Sequence, residues 1–215
     1  LSLIEKSVLL AGNHIRMNIL AHIYLSGASD EVKVGNFIGD YVKGRKYNKF
    51  PEAVSQGIRI HRDIDDYTDK HPVVQLSKSL LYSDIHKYSG VIVDVIYDHY
   101  LARDWARYSP VNQDDFINNL YLILKRNIDI LPAEVQEFLP RFIKNNWLSY
   151  YKDVEGIIKV IRQMILQIKN PVDGERAVEV FIARYHDFEA HFNQYFPQLA
   201  AFIFKKYGFN KQELM

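Results

Sequence analysis

Over residues 88–108 apolar side chains occupy nearly the whole circumference of a helix: Val91, Ile92, Val93, Val95, Ile96, Tyr97, Leu101 and Trp105, placed at about 100° per residue. A helix that is apolar all round lies at the centre of a fold rather than on its surface. The same segment carries Asp94, Asp98 and His99. Asp98 falls between Val91, Ala102 and Trp105, and Asp94 lies one turn earlier. A carboxylate moved into an apolar interior costs several kcal/mol unless it is paired. Any fold for this chain must therefore bring these groups a cation, an arginine or a proton.

A second helix poses the same problem. On 51–70, Val54 and Ile58 begin an apolar stripe, His61 and Asp65 fall within it, and Asp69 lies at its edge. The spacing i, i+4, i+8 puts the three in one continuous row. Metal sites in helical bundles take their ligands from facing helices at such spacings. Arg59, Arg62 and Arg103 are the alternative partners. Residue chemistry alone leaves both solutions open. Two further segments place polar groups among apolar ones: His22 within Asn18–Ser26, and Asp40 within Gly35–Gly44, whose GNFIGD stretch carries two glycines that permit close backbone approach. The latter is not a phosphate loop, since it lacks both the glycine spacing and the GK[ST] ending.

Composition narrows the chemistry. The chain has no cysteine, so disulfides, thiolate nucleophiles and Cys-type zinc sites are excluded. Any metal must be held by His, Asp and Glu, a nitrogen and oxygen shell suited to Mn, Mg, Fe or Zn. A formal net charge of +1 supplies no global attraction to nucleic acid or membrane, and neither is expected as a partner. No apolar run approaches the length that spans a bilayer. Glu5 and Lys6 interrupt the apolar stretch before Met17, so it does not read as a signal peptide. A cytoplasmic location is expected.

The pattern is all-α throughout. Candidate helices cover roughly 18–26, 30–42, 51–70, 72–83, 88–108, 113–131, 134–151, 153–169 and 175–206, the last broken near Pro197. Residues 1–16 read as an upstream extension and 17–215 as one helical domain. The Tyr and Phe residues after position 115 recur at helical spacing and are expected in the core. His186 and His191, five apart, are poorly spaced for a shared metal.

Four segments, MNILAHIYLS (17–26), GNFIGDYVKG (35–44), GIRIHRDIDDYTDKHP (57–72) and DVIYDHYLARDW (94–105), resemble the acyl carrier protein phosphodiesterase family. That family is a divergent branch of the HD-type metal-dependent phosphohydrolases. The match lies in the first half of the chain, in family order and spacing. The resemblance implies an HD-like helical fold and manganese-dependent hydrolysis, with Mg²⁺ or Fe²⁺ as alternatives. The implied substrate is holo-acyl carrier protein, cleaved at the phosphodiester joining 4′-phosphopantetheine to a serine. The usual HD doublet is His then Asp; here Asp98-His99 is reversed and His61 is followed by Arg62, so the ligand order does not transfer.

Facing positions instead suggest His22, Asp40, His61 and Asp98 as metal ligands. Asp65 and Asp94 are left as ligands, orienters of the histidines or the general base. Arg62 is a candidate for neutralising phosphate charge, and Asp69 and His99 for a second metal or proton transfer. Lys43, Arg45, Lys46 and Lys49 follow directly on Asp40 and are expected to dock an acidic carrier. The competing readings are an HD-like hydrolase of a small phosphoester and a non-catalytic helical binding protein whose inward carboxylates pair with arginine.

Overall fold

A computed structural model describes residues 18–166 and 172–209. Met17, the proposed extension 1–16 and Pro171 lie outside the described residues. The helices are α1 (Ile19–Tyr24), α2 (Asp30–Phe37), α3 (Glu52–Lys70), α4 (Pro72–Ile85), α5 (Ser89–Arg103), α6 (Gln113–Arg126), α7 (Ala133–Lys144), α8 (Val154–Leu166), α9 (Gly174–Ala183) and α10 (Tyr185–Tyr207). Short turns, several of them 3₁₀, join them, and no strand occurs among the described residues. The fold is all-α, as the sequence pattern requires.

Helix α5 is the central element. Its residues Ile92, Val93, Val95, Ile96 and Leu101 are fully or almost fully buried, and it packs against α1, α4, α8 and α10. The most extensive helix contact is between α2 and α3. Its closeness has a covalent cause. A Cβ on Gly35 would stand 2.0 Å from the Val54 carbonyl oxygen, and one on Gly57 would stand 2.1 Å from that of Val32. Each glycine admits the other helix's backbone, a distance no other residue allows. Ser29 starts α2 by accepting from the Val32 N–H at 3.3 Å, with Asp30 and Glu31 in the first turn. Pro72 opens α4, and His71 caps it by accepting from Val73 N at 3.3 Å.

Several segments differ from the sequence pattern; 88–108 and 113–131 end at Arg103 and Arg126 and continue as 3₁₀ turns. The segment expected as one helix over 30–42 stops at Phe37 and continues as a 3₁₀ turn, Gly39–Tyr41, which displaces Asp40 from the face of α2. The segment 134–151 ends at Lys144, where Asn146 adopts a left-handed conformation with φ 44. The break expected near Pro197 lies at Arg184 instead. Helix α10 runs through Pro197 because Tyr195, Phe196, Leu199 and Ile203 keep one buried face on both sides of it. That packing outweighs the one hydrogen bond the proline removes. Among the described residues no helix is long and apolar enough to cross a membrane.

Replacing Gly35 with alanine should strain the α2–α3 crossing. Overpacking of this kind costs about 1–3 kcal/mol and occasionally more, read as a lower urea midpoint with an unchanged slope. An unaltered midpoint would mean the two backbones can separate freely.

Candidate metal centre

The site begins with a helix too short to hold itself. Isolated helices of a few residues are unstable in water, and α1 has six residues with no side-chain cap of its own. Asp98 of α5 supplies what is missing. Its Oδ2 accepts from the Leu20 N–H at 2.8 Å and its Oδ1 from the Ala21 N–H at 2.9 Å. The carboxylate thus engages the positive end of α1, from another helix. Burial pushes the Asp98 carboxyl up to about 8, against the pull of these two amides.

The anchored α1 presents His22, and α3 presents His61, with ring centroids 4.2 Å apart. Asn36, fully buried on α2, lies behind both. His22 Nδ1 donates to Asn36 Oδ1 at 2.8 Å. His61 Nδ1 donates to the Asn36 backbone oxygen at 2.8 Å and lies 3.2 Å from Oδ1. Gly39 leaves room for the second ring, since a Cβ there would stand 2.2 Å from His61 Cγ.

Both Nε2 atoms are buried and make no well-formed hydrogen bond among the described residues. Each faces carboxylate oxygen. Asp65 Oδ1 lies 3.4 Å from His22 Nε2, and its Oδ2 lies 3.4 Å from His61 Nε2. Asp40 Oδ1 lies 3.6 Å from His61 Nε2. His22, His61 and Asp65 form a group able to hold a metal ion. Nitrogen and oxygen donors about 2.1 Å from one ion stand about 3 to 3.4 Å from each other, so the spacing suits a shared cation. Burial opposes charge on His61, but Asp40 and Asp65 outweigh it and hold the imidazole up at about 9. Burial likewise opposes charge on Asp65, and His22 and His61 outweigh it, keeping the carboxyl well below its usual range.

Residues 17–199 match the acyl carrier protein phosphodiesterase family. The chain belongs to that family. A relative of that name from Pectobacterium atrosepticum is 27% identical over 184 residues, covering 85% of this chain and 95% of its own. Another from Photorhabdus laumondii is 28% identical over 184 residues, with coverage of 85% and 93%. A third, from Escherichia coli, is 31% identical over 195 residues, with coverage of 86% and 96%. No solved structure matches the chain.

Within this acyl carrier protein phosphodiesterase family chain, the structure brings together His22, His61, Asp65 and Asp40 and sends the other candidates elsewhere. Both oxygens of Asp98 are on α1 amides rather than in the group with the histidines. His99 turns away from Asp98 by about 100°, bonding the Tyr151 carbonyl through Nδ1 and the Tyr185 hydroxyl through Nε2, both at 2.8 Å. Asp69 is exposed and pairs with Lys78 at 2.8 Å. Asp94 is half-buried beside a small cavity shared with Asn18, Thr68 and Tyr195. Burial, reinforced by Asp65, pushes it well above the usual carboxylate range. Arg62 donates to the Val42 carbonyl at 2.6 Å and lies over the Tyr47 ring at 5.0 Å. Lys43, Arg45, Lys46 and Lys49 are exposed along the turn Gly44–Lys49 and its entry. Arg59 pairs with Glu52, and Arg103 with Asp104 and Glu189. None of the three arginines neutralises Asp65, Asp94 or Asp98 among the described residues.

Asn36 carried no signal in the helical pattern. The clue available was a polar amide between Gly35 and Phe37 in an otherwise apolar stretch.

A metal needs the neutral imidazole, so its uptake displaces a proton. His61 holds that proton up to about 9 in the metal-free site. Affinity for Mn²⁺ should therefore rise with pH through neutrality and level off above that value. Calorimetry in two buffers of different ionisation enthalpy should register proton release at about pH 7. Identical heats in the two buffers would contradict this.

Proposed function

We propose that this chain hydrolyses the phosphodiester between 4′-phosphopantetheine and a serine of holo-acyl carrier protein. The products are apo-carrier and free phosphopantetheine. The observation that carries the reading is the pair of buried Nε2 atoms facing the Asp65 and Asp40 carboxylates, in a chain of this family. His22, His61, Asp65 and Asp40 would hold one divalent cation, Mn²⁺ first. When bound, the cation supplies Lewis acidity, lowering the pKa of water and offsetting phosphoryl charge.

The protein's own groups do the rest. Asp98 fixes α1 and so sets where His22 stands. The histidines form the buried back of the site, at 3% and 8% side-chain exposure. Asp65 and Asp40 reach toward solvent at 25% and 15%, where a phosphodiester and an attacking water must enter. These two carboxylates are the available proton acceptors. Burial and Asp65 push the Asp94 carboxyl well above the usual carboxylate range, and it is not among the groups gathered with the two histidines. An HD-like arrangement and a cytoplasmic location belong to the same reading.

The exposed cations Lys43, Arg45, Lys46 and Lys49 make no ion pair among the described residues, and their turn follows directly on Asp40. A basic edge beside the site would steer an acidic carrier and orient its modified serine. Arg62 ties this turn to α3 through Val42 and Tyr47.

Two outcomes are expected. Purified protein with Mn²⁺ should remove the phosphopantetheine mass from holo-acyl carrier protein, EDTA should stop it, and His61→Ala should abolish it while the far-ultraviolet circular dichroism stays helical. Cleavage of small phosphoesters with the carrier untouched would replace the proposed substrate. Reversing Lys43 and Arg45 to glutamate should raise KM for the carrier far more than it lowers kcat, and the gap should narrow at high salt. An unchanged KM would remove the docking role.

A further inference from the structure

We propose that Asn36 is a positioning residue that fixes the tautomer of both site histidines, through its side chain at His22 and through its backbone carbonyl at His61. Each acceptor is unambiguous. A carbonyl oxygen only accepts, so the Asn36 backbone oxygen 2.8 Å from His61 Nδ1 requires a proton on that nitrogen. The carboxamide of Asn36 has two chemically different ends, and its orientation is set by its neighbours. Its Nδ2 lies 2.8 Å from the His22 carbonyl oxygen and 2.9 Å from Ser26 Oγ. Ser26 donates its own hydroxyl proton to that same carbonyl at 2.8 Å, leaving lone pairs toward Asn36. A flipped amide would press oxygen against the carbonyl oxygen of His22. Asn36 Oδ1 must therefore face His22 Nδ1, at 2.8 Å, and that nitrogen must carry the proton.

An unconstrained histidine side chain prefers its proton on Nε2. Here each ring, when neutral, is held in the opposite form, which turns its Nε2 lone pair toward Asp65, and for His61 also toward Asp40. No solvent can substitute for the lock, because Asn36 and Ser26 are fully buried and His22 nearly so. The tautomers follow from these hydrogen bonds alone. Only their use in holding a cation rests on the function proposed above.

The test is ring ¹⁵N spectroscopy of the metal-free protein, followed as pH is raised past the value of about 9 to which His61 is held until the ring signals stop changing. Both histidines should carry Nδ1–H in the native protein, and Nε2–H on either would overturn the proposal. Asn36→Ala should release His22 toward Nε2–H while His61, held by the backbone, stays as it is. A folded Asn36→Ala protein with an unchanged His22 would also overturn it. Asn36→Asp keeps an acceptor at His22 and should keep the Nδ1–H form. If the alanine variant does not fold, this aspartate variant decides, since Nε2–H on His22 there would refute the assignment. Ser26→Ala leaves the His22 carbonyl to orient Asn36 and should change neither ring. Titration with Zn²⁺ and Mn²⁺ gives a separate readout, in which Asn36→Ala should weaken binding about 10–100-fold. Failure of the native protein to bind either ion would count against the metal reading and leave the tautomer result standing.

Discussion

Two hydrogen bonds from one buried carboxylate hold the site in place. Asp98 reaches from the central helix to the first amides of α1, a segment that has too few residues to be helical on its own. The dependence then runs outward. α1 carries His22, the carbonyl of His22 orients Asn36, and Asn36 is the shared acceptor behind His22 and His61. The Gly35–Gly57 contact brings α2 close enough to α3 for the last of these bonds. A loose α1 would therefore disturb both histidines of the group. A single apolar helix sets the geometry because most of its residues are buried and it cannot shift without moving α4, α8 and α10 with it.

The electrostatics of the site favour a cation over a scaffold. Four carboxyl groups, Asp40, Asp65, Asp94 and Asp98, lie in or near the packed interior. Each settles its charge differently. Asp98 accepts from two backbone amides, burial and Asp65 push Asp94 well above the usual carboxylate range, and Asp65 and Asp40 face imidazoles. The arginines that would serve a purely structural design are engaged at Glu52, Val42, Asp104 and Glu189. A buried ion pair of imidazole and carboxylate is a weak source of stability, since desolvation offsets much of the attraction. Retaining three such contacts around one point, with neither Nε2 atom making a good hydrogen bond among the described residues, fits a site kept for binding.

Much of this was legible in the sequence, and the rest was not for identifiable reasons. The all-round apolar pattern of residues 91–105 located the central helix, and the i, i+4 row of His61 and Asp65 put two of the clustered groups on one face. The inward carboxylate of Asp98 was legible as a charge needing a partner. Its partner was not, because the free amides at the start of a helix on another part of the chain leave no mark in residue type. Asn36 was missed for the converse reason: a neutral amide poses no charge problem, so nothing flags it until its neighbours are known. Asp40 was legible as a candidate ligand but not in its placement, because the pattern ran a single helix through Gly39, where the chain turns to clear the His61 ring. Pro197 misled because a proline signals a break locally, whereas the buried face on either side of it is a tertiary fact.

The two faces of the site have different physical demands, and the chain divides them by element. The back must be rigid and dry, so that two imidazoles keep one tautomer and one separation; it is built from helices whose backbones touch. The front must admit a flexible phosphodiester attached to a folded protein, so it cannot be enclosed. The 3₁₀ turns Gly39–Tyr41 and Gly44–Lys49 form that side, placing Asp40 beside His61 and the cations just beyond. A small phosphoester would need only the back wall. Lys43, Arg45, Lys46 and Lys49 make no ion pair among the described residues and lie a few residues from Asp40, and Arg62 ties their turn to α3; on the proposed reading, a carrier settled on that turn would be settled relative to His61 and Asp65 as well.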